Sequence, residues 1–91
     1  MPRRLLLSGR VQGVNCRYYC SQYAKRMGIR GAASNLRDGR VEVILATDDD
    51  EKIRDYIGAL GSNPENVLFF GRITGIEVAE HDGVIEGDYT F

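Results

Sequence analysis

The stretch GRVQGVNCR, from Gly9 to Arg17, has the residue types and spacing to capture an anion. Its two glycines lead into a pattern of helical period that begins at Cys16. The first backbone N–H groups of a helix have no partner within it, and the aligned peptide dipoles favour negative charge at that end. Glycine lets such N–H groups curl round a tetrahedral anion without Cβ clashes. Arg17, in the first turn, adds a planar fork of donors matched to phosphate oxygens. Gln12, Gly13, Val14, Asn15 and Arg17 are therefore candidate phosphate ligands, the first four through their backbone. The same spacing also serves plain strand-to-helix connections, so spacing alone leaves cradle and turn both open.

Other chemistries read less well. Cys20 to Arg26 satisfies C-x5-R, the spacing of thiol-dependent phosphatases, but the segment has helical period and no glycine loop to surround a thiolate. Cys16 and Cys20 are one helical turn apart, where a disulfide would be strained, so free thiols are expected. Cys16 reads as a small, part-buried side chain. The acids DDDE at 48–51 complement a helix dipole more readily than they hold a cation. His81 in EHDG reads as an exposed residue at a hairpin tip. Tyr18 and Tyr19 beside arginines hint at RNA, yet RVEVILA offers no strand aromatics for base stacking, so no nucleic acid is expected.

The elements that must position the cradle follow from periodicity. RLLLSG is a strand ending at glycine, and Cys16, Cys20, Tyr23, Ala24 and Met27 form one face of a helix capped by Gly28. IRGAASNL and RVEVILA read as strands joined by a tight turn at RDG, with Val41, Val43 and Leu45 on one face. Thr47 and Asp48 offer N-caps to a second helix with Ile53, Tyr56, Ile57 and Leu60 inward, stopped by Gly61, Asn63 and Pro64. RITGIEVAE and EGDYTF supply two more strands, joined by a hairpin around HDG. This order implies an α+β, ferredoxin-like (βαββαβ) sandwich, with two helices on one face of an antiparallel sheet and a short fifth C-terminal strand.

Ninety-one residues suffice for a single domain spanning 1–91. The composition, 43% hydrophobic and 27% charged, is that of an ordinary globular chain, and its apolar runs are too short to cross a bilayer. No membrane association is expected, and two cysteines without metal-type spacing suggest a reducing, cytoplasmic setting. A net charge of −1 conceals nine bases against two acids in residues 1–45, and three against eleven in 46–91. That asymmetry points either to an anionic ligand meeting the first half or to two halves that interleave and cancel.

GRVQGVNCR followed by GAASNLRDGRV resembles the acylphosphatase family. Its first signature, G-x-V-Q-G-V-x-F-R, is matched at Gly9, Val11, Gln12, Gly13, Val14 and Arg17. Its second, G-aromatic-x-x-N-x-x-x-G-x-V, is matched at Gly31, Asn35, Gly39 and Val41. The resemblance covers nearly the whole chain and implies hydrolysis of acyl phosphates to carboxylate and inorganic phosphate, without metal or cofactor. It implies that Arg17 binds the phosphoryl group and that Asn35 holds the attacking water, making these two the catalytic pair. A non-catalytic phosphate-binding regulatory module of the same fold is the alternative. Inorganic phosphate or sulfate should compete for the site, and a monomer is expected. An acyl phosphate has a good leaving group, so the needs are charge neutralisation and an aimed water. Neither His nor a carboxylate adjoins Arg17 or Asn35 in sequence, so the substrate's own phosphate is expected to take the water's proton. Cys16 stands where the family prefers Phe, and Ala32 where it prefers an aromatic. Ser34 holds a position that is often basic or Ala. Cys16 is expected to pack under the cradle and Ala32 to line its rim, and losing two aromatics should loosen the site.

Overall fold

A computed structural model describes all residues, 1–91. In chain order the elements are β1 (Arg3–Arg10), α1 (Cys16–Arg26), β2 (Gly31–Asn35), β3 (Val41–Leu45), α2 (Asp50–Ser62), β4 (Arg72–Glu80) and β5 (Tyr89–Thr90). The strands form one antiparallel sheet in the order β4-β1-β3-β2-β5. This is the ferredoxin-like α+β arrangement expected from the sequence, with β3 inserted between β1 and β2. No helix is long and apolar enough to cross a membrane.

Period-two burial fixes the register. Leu5 and Leu7 of β1 face Val43 and Val41 of β3, and all four are fully buried. Against them α1 packs Cys16, Tyr19, Cys20, Tyr23 and Ala24, while α2 contributes Ile53, Tyr56 and Leu60. Tyr19 belongs to this core, whereas its neighbour Tyr18 is exposed. Its ring stacks on Phe69 at 4.4 Å and its hydroxyl donates to the Leu60 carbonyl at 2.6 Å. Met27 and Ile57 pack only at the core margin.

Helix ends show where local signals hold. Gly28, at φ +70°, follows α1, and the Ile29 and Gly28 N–H groups donate back to Ala24 and Lys25 at 2.8 and 3.1 Å. This is the doubly bonded glycine cap. The second helix is capped by Asp49, not by Thr47 or Asp48: its carboxylate accepts from the Glu51 and Lys52 N–H groups. Thr47 instead accepts from the Asp49 N–H. Gly61 lies inside the last turn, and Asn63, in the left-handed region at φ 49°, ends the helix.

The hairpin expected around HDG does not form. Strand β4 pairs with β1, whereas β5 pairs with β2 on the opposite edge, so residues 81–88 cross an end of the sheet. His81 is accordingly half-buried rather than at a tip, with Nε2 2.9 Å from the Val84 carbonyl oxygen. Because β4 and β5 flank the first-half strands, the two oppositely charged halves interleave. Arg3 pairs with Asp50 at 2.8 Å, Arg40 with Glu77 at 3.5 Å and Arg17 with Asp88 at 3.5 Å.

Candidate active site

The segment between β1 and α1 is bent by two residues in the left-handed region, Gly13 and Asn15, each at φ 72°. Glycine meets that φ without strain, and asparagine is among the few other residues that adopt it readily. The N–H groups of Gln12, Gly13, Val14 and Asn15 donate to no acceptor in the protein. Their alternating turn, opening on the α1 N-terminus, has the form of an anion-binding nest.

Side chains hold this bend from both sides. Gln12 reaches across to the β2–β3 turn, its Nε2 donating to the carbonyls of Leu36 at 2.6 Å and Arg40 at 2.9 Å. Asn15 Nδ2 donates to the Leu68 carbonyl at 2.8 Å, and the Phe70 N–H donates to the Val14 carbonyl at 3.0 Å. The side chains of Val11 and Val14 are buried beneath. Thus Gln12 and Val14 anchor the loop by their side chains, and whatever they offer a ligand comes from the backbone.

A pocket of about 280 Å³ opens over the bend, lined in part by Gly13, Asn15, Arg17, Tyr18, Asn35 and Tyr89. Arg17 and Asn35, on different elements, therefore meet in one cavity. A residue that local pattern did not single out joins them. Asp88 Oδ2 accepts from the Asn35 backbone N–H at 3.0 Å and faces Arg17 Nη1 at 3.5 Å. Asp88 is itself held by its N–H, which donates to Ser34 Oγ at 3.0 Å. The carboxylate does not line the pocket; it braces the guanidinium and the end of β2 from the β5 side. No acid adjoins either residue in the sequence, because β5 reaches β2 only by long-range pairing.

Cys16 is buried at the pocket floor, its Sγ 3.9 Å from that of Cys20, and both thiols are free. The hydrogen bond with Cys20 lowers the Cys16 pKa, burial opposes this, and the Arg17 guanidinium adds to the lowering. The same hydrogen bond and burial push Cys20 up. Cys20 lies within α1 and fully buried, so its C-x5-R spacing to Arg26 forms no loop. No group of three or more His, Cys, Asp or Glu is arranged to hold a metal ion.

The sequence profile of the family described as Acylphosphatase matches residues 3–90. The chain belongs to the acylphosphatase family. Among curated relatives, an acylphosphatase of Methanothrix thermoacetophila is 36% identical over 85% of this chain and 80% of its own length. One of Bacillus subtilis is 34% identical over 97% of this chain and 90% of its own. The crystal structure of acylphosphatase from Bacillus subtilis superposes with a TM-score of 0.71 at 29% identity, covering 91% of this chain and 87% of that one.

Against the acylphosphatase signatures, the two departures have different surroundings. Cys16 packs under the cradle as expected. Ala32 does not line a rim: it is 1% exposed, paired with Thr90. A Cβ on Gly87 would come within 3.2 Å of the Ala32 Cβ and would clash with Ser34 Oγ. Small residues at 32 and 87 thus let the crossing segment lie close to β2, which carries Asp88 to Arg17.

Proposed function

We propose that this acylphosphatase hydrolyses the carboxyl–phosphate bond of acyl phosphates through the pocket over the β1–α1 loop. The free N–H groups of Gln12 to Asn15 and the Arg17 guanidinium take the phosphoryl oxygens, neutralising charge that shifts during transfer. The Asn35 carboxamide, which both donates and accepts, holds a water in line with the bond that breaks. The water oxygen bonds to phosphorus as the acyl carboxylate departs with the bonding pair. The water's proton passes to the phosphate, because the carboxylate of Asp88 is already engaged by Arg17 and the Asn35 N–H.

The observation that carries this reading is the meeting of Arg17 and Asn35 with Gly13 and Asn15, two of the four residues whose loop N–H groups are unpartnered, in one small pocket; Gln12 and Val14 do not line it. We further propose a monomer and a single domain over 1–91, since one chain supplies Arg17, Asn35 and the loop residues that line the pocket. Two free buried thiols favour a reducing, cytoplasmic setting.

The test is the loss of benzoyl phosphate with time, with inorganic phosphate and sulfate as competitors. Asn35→Ala should lower kcat about a hundredfold or more, while phosphate still competes with unchanged affinity. Arg17→Ala should lose both turnover and phosphate competition. Undiminished turnover in Asn35→Ala would overturn the mechanism, and a wild type that binds phosphate without turnover would make this a binding module.

A further inference from the structure

A second pocket, of about 370 Å³, adjoins the first and is lined in part by Asn15, Tyr18, Gln22, Arg26 and Leu68. It shares Asn15 and Tyr18 with the phosphate-side pocket, so these two residues stand between the two hollows. On α1, Tyr18, Gln22 and Arg26 recur every fourth residue and form one stripe. Facing them, residues 65–68 lead from α2 towards β4. Two apolar bodies stand exposed at this place: Tyr18, 41% accessible, and Leu68, 66% accessible. Neither contributes to the core, and the mechanism above uses neither.

The sheet order says which part of a substrate reaches this pocket. Phosphoryl transfer sets the attacking and leaving oxygens at opposite ends of a line through phosphorus. Asn35 ends β2, and the strand order sets β3 and β1 between β2 and β4, the strand into which residues 65–68 lead. The cradle lies between these flanks, because Gln12 is bonded to the β2–β3 turn and Asn15 to Leu68. A water on the Asn35 side therefore sends the acyl carboxylate towards Tyr18 and Leu68. Resting on the proposed reading of the first pocket, we infer that the second pocket is the acyl subsite and that it selects acyl phosphates with an aryl or extended alkyl body. The Tyr18 ring and the Leu68 side chain cover that body, and the bond from Asn15 to the Leu68 carbonyl keeps this wall in register with the phosphate. Acetyl phosphate is too short to gain from it.

The test compares kcat/KM for benzoyl and acetyl phosphate in the wild type, Tyr18→Ala and Leu68→Ala, with inhibition by inorganic phosphate measured alongside. Both side chains are exposed, so folding should be undisturbed. Tyr18→Ala should lower the benzoyl-to-acetyl ratio about tenfold and Leu68→Ala severalfold, the range that a lost apolar contact commands. In Leu68→Ala, whose side chain does not line the phosphate-side pocket, phosphate inhibition, which involves no acyl group, should stay within about twofold. Equal losses on both substrates, an unchanged ratio, or phosphate affinity falling in step in Leu68→Ala would overturn the acyl subsite. A wild type that hydrolyses neither substrate would instead defeat the reading of the first pocket.

Discussion

Arg17 and Asn35 are held by an oxygen that neither motif contains. The carboxylate of Asp88 accepts from the backbone of one and faces the guanidinium of the other, at 3.0 and 3.5 Å. Both partners in the ion pair are substantially exposed, so it adds little to stability. Its effect should fall on geometry. Asp88→Ala is expected to lower kcat/KM for benzoyl phosphate about tenfold while stability in urea changes by less than about 0.5 kcal/mol. Asp88→Asn keeps an acceptor for both partners and should recover most of the rate. A large stability loss in Asp88→Ala, or no rescue by Asn, would show that the carboxylate merely holds the edge of the sheet. Of this residue set, the cradle and Arg17 were legible in sequence because a turn and a helix start are local. Asn35 was reached by resemblance, since an asparagine ending a strand announces nothing by itself. Asp88 was not legible, because only the pairing of β5 with β2 brings it there.

The loop from Val11 to Asn15 is shaped by its own φ angles and pinned by its neighbours. A Cβ on Gly13 would meet nothing within 4 Å, so Gly13→Ala isolates the backbone cost of φ +72°. It should destabilise the protein by about 1–2 kcal/mol and weaken phosphate inhibition, measured by urea unfolding and by competition. Gln12→Ala removes two bonds to the β2–β3 turn and leaves Asn35 and the cradle on elements no longer tied together. Its phosphate affinity should fall less than its kcat, because the nest survives while the aim of the water does not. Element identities came from periodicity, and the cap at Gly28 from glycine's tolerance of φ above zero. The shift of the second cap to Asp49 shows the limit of such reading: three consecutive aspartates offer equivalent carboxylates, and only the packing of Ile53 and Tyr56 chooses among them.

Across the whole molecule the charge imbalance between the chain's halves dissolves because strands from both halves share one sheet. Composition recorded that imbalance, but strand order decides where it goes, and strand order is a long-range property. Burial also sets the response to alkali. It raises the Tyr19 pKa to about 12 and pushes Tyr56 well above its usual range. Below about pH 10 both phenols are protonated whether the chain is folded or not, so stability is level there. Above it the unfolded chain loses protons that the fold retains, and stability falls by about 1.4 kcal/mol per pH unit for each phenol. Urea midpoints at about pH 9 and about pH 11 should record this, with a shallower fall in Tyr19→Phe. A final consequence concerns the narrowest seam of the sheet. Strand β5 meets β2 at Ala32 and Ala33, and Gly31 and Phe91 exchange N–H···O bonds of 2.9 Å just beyond. So short a ladder frays sooner than the β1–β3 centre. Each excursion withdraws Tyr89 and Asp88 together from Arg17 and Asn35. Deuterium uptake at the Gly31 and Phe91 amides should therefore slow when phosphate occupies the cradle.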